Sequence, residues 1–310
     1  GSRRGRPVLQ GPDRRALGLV VDERPRLPPR IGIYEKALPA GLDWPGMLRA
    51  AREAGYDYVE MSVDETDSRL ARLEWTAAER AAFREAVADS GLRVPSMCLS
   101  GHRLYPFGSA DPKVRERSRD IMARAVDLAA DTGIRTIQLA GYDVYYEPST
   151  PESRERYLEG LAEAVELAER AQVCVAMEIM DTPFMGTISR WLEFAEKLPS
   201  AWFQVYPDIG NLSAWAQDVP GELAKARGRI ASVHLKDTLK PKPGFPGRFR
   251  EVPFGTGCVD FPGAFRALRS IGYRGSYLVE MWTHESPDPA AEIRAARQWI
   301  LGRMREGGVA

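Results

Sequence analysis

VCVAMEIM, residues 173–180, is apolar at every position but one, and the exception, Glu178, stands near its end. An eight-residue run that is apolar on both faces is the pattern of a strand covered on both sides in a parallel sheet. An acid inside such a strand costs several kcal/mol unless it is paired or ligates a metal. The segment therefore predicts an architecture and a site together.

Seven further runs of seven or eight residues share this character: RIGIYEK (30–36), YDYVEMSV (56–63), RVPSMCLS (93–100), RTIQLAGY (135–142), FQVYPDIG (203–210), IASVHLKD (230–237) and SYLVEMW (276–282). Between them lie segments with helical spacing at 44–55, 76–91, 114–133, 152–171, 186–198, 219–227, 261–272 and 289–307. Several open on a capping Thr or Pro and close on Gly. Strand and helix alternating eight times, with crossovers long enough for parallel pairing, predict a (β/α)8 TIM barrel over residues 31–310. A doubly wound open sheet is the alternative, and no G-x-G-x-x-G follows the first strand to favour it. The richest loop, 240–257, follows the seventh strand and is expected at the C-terminal face, where barrels keep their chemistry.

The 43 basic side chains balance 43 acidic ones. Nucleic-acid binding runs on phosphate neutralisation, so this balance excludes a broad basic footprint. No apolar run reaches the roughly 18 residues of a membrane span. Three widely spaced cysteines (Cys98, Cys174, Cys258) suggest reduced thiols and a cytoplasmic setting. Residues 1–30 are arginine- and proline-rich without periodicity. They are expected to form a flexible basic arm, in part a cloning scar at Gly1-Ser2.

The eighth, seventh and sixth runs repeat the anomaly of the fifth: Glu280, His234 and Asp208 stand near their C-terminal ends, as Glu178 does in its own. Taken singly, each has an ordinary explanation as a cap or a packed core residue. Four adjacent strands carrying them at equivalent positions predict instead one shared divalent metal site, hard enough for Mn²⁺, Mg²⁺, Co²⁺ or Zn²⁺. Glu178 and Glu280 stand at opposite ends of that arc. A metal that chelates the carbonyl and neighbouring hydroxyl of a ketose acidifies the C–H between them. One carboxylate on each face then suits epimerisation by two bases. Glu60 in YDYVEMSV is a further strand-end acid, read either as a substrate contact or as a partner that orients a ligand.

GIYEKALPAGLDW, VEMSVDETDSRL, VPSMCLSGHR, IQLAGYDVYY, AMEIMD, YPDIGNLSAW, VHLKDT, VPFGTGCVDF and YLVEMW resemble the L-ribulose-5-phosphate 3-epimerase family. Its members are also described as L-xylulose-5-phosphate 3-epimerases of the L-ascorbate-utilisation type. The likeness spans about residues 31–305 and implies a xylose-isomerase-like barrel that inverts C3 of a ketopentose 5-phosphate, as a homodimer. It implies that Glu178, Asp208, His234 and Glu280 hold the metal and that Glu178 and Glu280 are the acid/base pair. Arg250, before Val-Pro in the long loop, fits an arginine that binds substrate oxygens in the free-sugar epimerases. Asn211 stands where those enzymes carry histidine. For the phosphate, His102, Arg103 and Lys236 offer cations, and the FGTG glycines (254–257) offer backbone amides. Tyr142, Tyr145 and Tyr146 are candidate pocket walls, the tryptophans at 191, 202, 215 and 299 are packing residues, and His284 is surface.

The rivals on the same site are an aldose–ketose isomerase, a free-ketose 3-epimerase and a cyclic-polyol dehydratase. An abasic-site endonuclease shares this barrel but needs many histidines, and the chain has three. A non-catalytic sugar-phosphate binder gains little from a buried carboxylate pair.

Overall fold

The computed structural model describes residues 27–310, so the arm expected over 1–30 lies almost wholly outside the described residues. Eight strands alternate with helices in the order β1 (Ile31–Tyr34), α1 (Trp44–Glu53), β2 (Tyr58–Val63), α2 (Asp67–Leu70), α3 (Ala77–Ser90), β3 (Arg93–Leu99), α4 (Pro112–Thr132), β4 (Thr136–Ala140), α5 (Pro151–Arg170) and β5 (Cys174–Glu178). They continue with α6 (Ile188–Ala195), β6 (Phe203–Tyr206), α7 (Ile209–Trp215), α8 (Val219–Lys225), β7 (Ser232–Leu235), α9 (Phe261–Ser270), β8 (Ser276–Val279) and α10 (Pro289–Glu306).

The helices begin where side chains satisfy first-turn amides. Asp43, Thr76, Asp111, Thr150, Thr187, Asp208, Asp218, Asp260 and Asp288 each accept such a bond. Thr76 with Glu79 completes a capping box, and Gly91 ends α3 at φ +69°.

All neighbouring strands are parallel, in the order β6-β5-β4-β3-β2-β1-β8-β7. Two isolated parallel bridges, Val205 with Ile230 and Asp208 with His234, span the remaining seam between β6 and β7. The expected barrel is thereby all but closed. Each strand is shorter than the run that predicted it, because the ends of several runs turn out of the sheet at the mouth. Asp208 and Glu280 lie just beyond β6 and β8.

The main core lies between strands and helices, where Ile33, Val59, Ile137, Val175 and Val205 meet Leu48, Ile121, Leu161, Trp191, Phe265 and Ile300. A second, small cluster of Tyr34, Tyr58, Cys98 and Leu278, covered by Trp282, fills the barrel interior. Glycine is required at Gly32, where a Cβ would fall 2.2 Å from the Tyr58 ring. That ring is itself tied across the barrel by its hydroxyl, which donates to the Tyr277 carbonyl at 2.8 Å. Among the described residues no helix is long and apolar enough to cross a membrane.

Candidate metal centre

The ends of β5, β6, β7 and β8 bring Glu178, Asp208, His234 and Glu280 together, with one ligand atom of each within 4.8 Å of all the others. His234 Nδ1 is their common point, 3.1 Å from Glu178 Oε1, 3.4 Å from Glu280 Oε2 and 4.0 Å from Asp208 Oδ2. Asp208 serves two ends at once. Its Oδ1 caps α7 by accepting from the Asn211 amide at 2.8 Å, which turns Oδ2 toward the cluster.

Below the cluster, Glu60 Oε1 meets the opposite ring nitrogen, His234 Nε2, at 2.9 Å. A carboxylate only accepts, so Nε2 donates and Nδ1 faces the three acids. Glu60 is fully buried, and its other oxygen accepts from Ser96 Oγ at 2.6 Å and the Tyr206 hydroxyl at 3.0 Å. Of the two places expected for it, these contacts match the second, a carboxylate that orients the histidine from beneath.

Lys236 is drawn into the same space, its Nζ 3.0 Å from Asp208 Oδ2 and 3.2 Å from Glu280 Oε2. Burial opposes charge on Glu280, but Lys236 and His234 outweigh it and hold that carboxyl well below the usual carboxylate range. Asp208 goes the other way, raised by burial and the adjacent acids despite Lys236. Burial disfavours charge on His234, yet Glu60, Glu178 and Glu280 raise its imidazole well above the ordinary value. Acids crowded into a low-dielectric space thus recruit what positive charge is at hand.

A divalent cation fits these residues. Asp208 Oδ2 and Glu280 Oε2 are buried with Lys236 shared between them and, among the described residues, no well-aligned hydrogen bond to either, a crowding of negative charge that a divalent cation relieves. The donors are oxygens and one imidazole nitrogen, a set for a hard or borderline ion. Burial pushes the nearby Cys98 thiol up to about 12.

The cavity above the cluster is lined by Tyr34, Lys36, Ser100, Arg103, Asp181 and Trp282, with Arg250, Lys236 and the two glutamates. Arg103, Arg250 and Lys236, three of the residues expected near the substrate, thus line this cavity. His102 is not. It is buried, its Nε2 is 3.1 Å from the Ser118 carbonyl, and its ring packs on Phe107. Burial pushes its imidazole down to about 4, so it is neutral and no phosphate ligand. Asn211 is also away from the cavity wall, fully buried and donating to the Ile179 carbonyl at 2.8 Å. The amides of Gly255 and Gly257, expected to face a phosphate, donate instead to Asp237 Oδ2, both at 2.9 Å. Thr238 and Val259 donate to Oδ1 of the same carboxylate.

Lys36 and Asp181 were missed, although each is a charged residue just beyond a strand that ends at the mouth. Tyr142 donates its hydroxyl to Asp181, and its ring and that of Tyr145 lie 5.8 and 5.4 Å from the Arg103 guanidinium. Tyr146, more exposed, donates to Glu65 at 2.9 Å.

The long loop forms a small hairpin through Leu239–Arg248 and Lys242–Phe245 pairings. Phe249 then stacks on Trp215, and the Arg250 guanidinium lies 5.8 Å from the Trp282 ring. Glu251 is held at φ +55°, where His284 reaches it at 3.3 Å. His284, Trp299 and Phe254 line a neighbouring chamber of about 550 Å³ that shares Lys236, Glu280 and Trp282 with the cavity.

The chain is similar to known proteins over most of its length. The xylose isomerase-like TIM barrel family matches residues 48–302. The L-ribulose-5-phosphate 3-epimerase UlaE of Salmonella paratyphi A is 54% identical, over 90% of this chain and 96% of its own. SgbU of Escherichia coli K12, whose name assigns it the same activity provisionally, is 57% identical, over 90% of this chain and 98% of its own. Among solved structures, an L-ribulose 3-epimerase superposes with a TM-score of 0.72 at 24% identity, covering 90% of this chain and 95% of that one. At that identity the likeness is one of fold.

Proposed function

The chain belongs to the L-ribulose-5-phosphate 3-epimerase family of xylose isomerase-like barrels, and on that premise we propose that it inverts C3 of a ketopentose 5-phosphate. The pair interconverted is L-ribulose 5-phosphate and L-xylulose 5-phosphate. Glu178, Asp208, His234 and Glu280 hold a divalent cation, which when bound polarises the C2 carbonyl and C3 hydroxyl oxygens and acidifies the C3–H.

One observation carries the proposal. Glu178, on β5, and Glu280, just past β8, approach the same ring nitrogen at 3.1 and 3.4 Å from strands separated by β6 and β7. A C3 carbon seated above that point has one carboxylate toward each face. The first glutamate takes the C3 proton, and the electron pair moves into the C2–C3 bond as C2=O becomes an enediolate oxygen. The second glutamate returns a proton to the opposite face of C3 as the carbonyl re-forms. Lys236, 3.0 and 3.2 Å from the oxygens of Asp208 and Glu280, offsets the negative charge this builds. Trp282 and Tyr34 wall the cavity.

The test is incubation with L-ribulose 5-phosphate in D₂O. Deuterium is expected at C3 of the L-xylulose 5-phosphate formed and at no other carbon. Label at C1 would mean carbonyl migration and overturn the proposal in favour of an isomerase.

A further inference from the structure

Four cationic side chains line the cavity, and two are already committed. Lys236 lies between Asp208 and Glu280, and Lys36 pairs with Asp64 at 2.5 Å. Arg103 and Arg250 make no ion pair with any carboxylate among the described residues, and each guanidinium lies within 6 Å of an aromatic ring. Arg250 sits over Trp282, beside Glu280, at the reacting end. Arg103 is elsewhere. It follows β3, between Tyr142 and Tyr145, and its Nε is buried with no hydrogen-bond partner.

Three residues before it, Ser100 is 2% exposed, and its Oγ is likewise buried without a partner. It starts the short turn Gly101–Arg103 yet gives that turn no side-chain cap. Two unsatisfied polar groups three residues apart on one cavity wall are a cost that the oxygens of a ligand would remove. A guanidinium with an unpartnered Nε, close to two tyrosine rings, matches the oxygens of a phosphate.

Barrel order gives the direction. The metal cluster takes the ends of β5 to β8, whereas Lys36 follows β1 and both Ser100 and Arg103 follow β3. A ketopentose with C2 and C3 over the cluster and its chain across the mouth brings C5 to the β1–β3 side. We propose that Ser100 and Arg103, with Lys36 adding charge, form the subsite for the C5 phosphate and give the enzyme its preference for phosphorylated over free ketoses. This rests on the function proposed above.

Arg103→Met and Ser100→Ala test it. The readout is the ratio of kcat/KM for L-ribulose 5-phosphate to that for free L-ribulose. The ratio is expected to fall about ten- to a hundredfold in Arg103→Met and several-fold in Ser100→Ala. Competitive inhibition by inorganic phosphate is expected to weaken in parallel. An unchanged ratio in a wild type that epimerises the phosphate would overturn the subsite and leave the function standing. A wild type that turns over neither sugar would overturn the function alone, because calorimetric titration with inorganic phosphate still decides the subsite. Binding lost in Arg103→Met supports it, and equal binding in both proteins overturns it.

Discussion

His234 Nε2 donates to Glu60 Oε1 at 2.9 Å on the floor of the barrel, which leaves Nδ1 as the ring nitrogen turned toward Glu178, Asp208 and Glu280. An outer carboxylate that fixes a ligand's tautomer and ring plane strengthens metal binding, and its loss typically costs about 10- to 100-fold. Glu60→Gln is expected to weaken Mn²⁺ binding by that factor in a calorimetric titration, with the fold retained by circular dichroism. Unaltered affinity would mean the contact does not orient the ligand.

Glu178→Gln and Glu280→Gln are each expected to lower kcat by on the order of 10²–10⁴, assayed at saturating metal with occupancy measured separately. In D₂O at least one of them should still exchange the C3 proton of one epimer without inverting it. Inversion at an undiminished rate in either variant would refute the two-base assignment.

Chelation should abolish epimerisation, and re-addition of Mn²⁺, Mg²⁺, Co²⁺ or Zn²⁺ should restore it to differing extents. The donor set of three carboxylates and one imidazole admits each of these ions. Activity that survives exhaustive chelation, with metal content checked by mass spectrometry, would exclude the cation from the reaction.

His102 links stability to acid. Its folded imidazole is pushed down to about 4 by burial, against an ordinary value of about 6.5. Between these limits the unfolded chain takes up a proton that the folded one refuses, so the stability is complete above pH ~6.5 and falls as pH drops toward ~4. The loss amounts to roughly 3 kcal/mol at most. His102→Gln is expected to flatten that part of the pH–Tm profile. A wild-type profile without a decline there would contradict the neutral, buried assignment.

Asp237 gathers four backbone amides, those of Thr238, Gly255, Gly257 and Val259. Asp237→Asn replaces one accepting oxygen with a donor and orphans at least one amide. Stability should fall by about 1–3 kcal/mol, read as a lower Tm, and KM should rise because the same loop carries Arg250. A variant with wild-type Tm and KM would show that the loop holds its shape by other means.

The fold and the clustering of Glu178, Asp208, His234 and Glu280 were legible because both rest on anomalies of short range. Glu178 and His234 are charged or polar residues inside runs otherwise apolar on both faces, and helix starts are written in residues such as Asp43 and Thr76. What sequence hid is depth and competition. Alternation places Glu60 and His234 on the inner face, but strand stagger decides that Glu60 lies a layer lower, against His234 instead of substrate. The glycines of FGTG have free amides on paper, and only the folded loop reveals that Asp237 has claimed them. His102 and Arg103 are neighbours in one turn, and the turn sends one into the core and the other to the cavity. Lys36 was overlooked because β1 ends in a charged pair, whose other member, Glu35, is held by Arg72 at 2.6 Å.

The seam between β6 and β7, closed by isolated bridges, has a mechanical corollary. Asp208 and His234 sit on its two lips, so an ion gripping both acts as a clasp on the stave joint with the least backbone stitching. Amide exchange at Val205, Ala231 and His234, whose N–H groups cross that joint, should slow markedly on loading with metal.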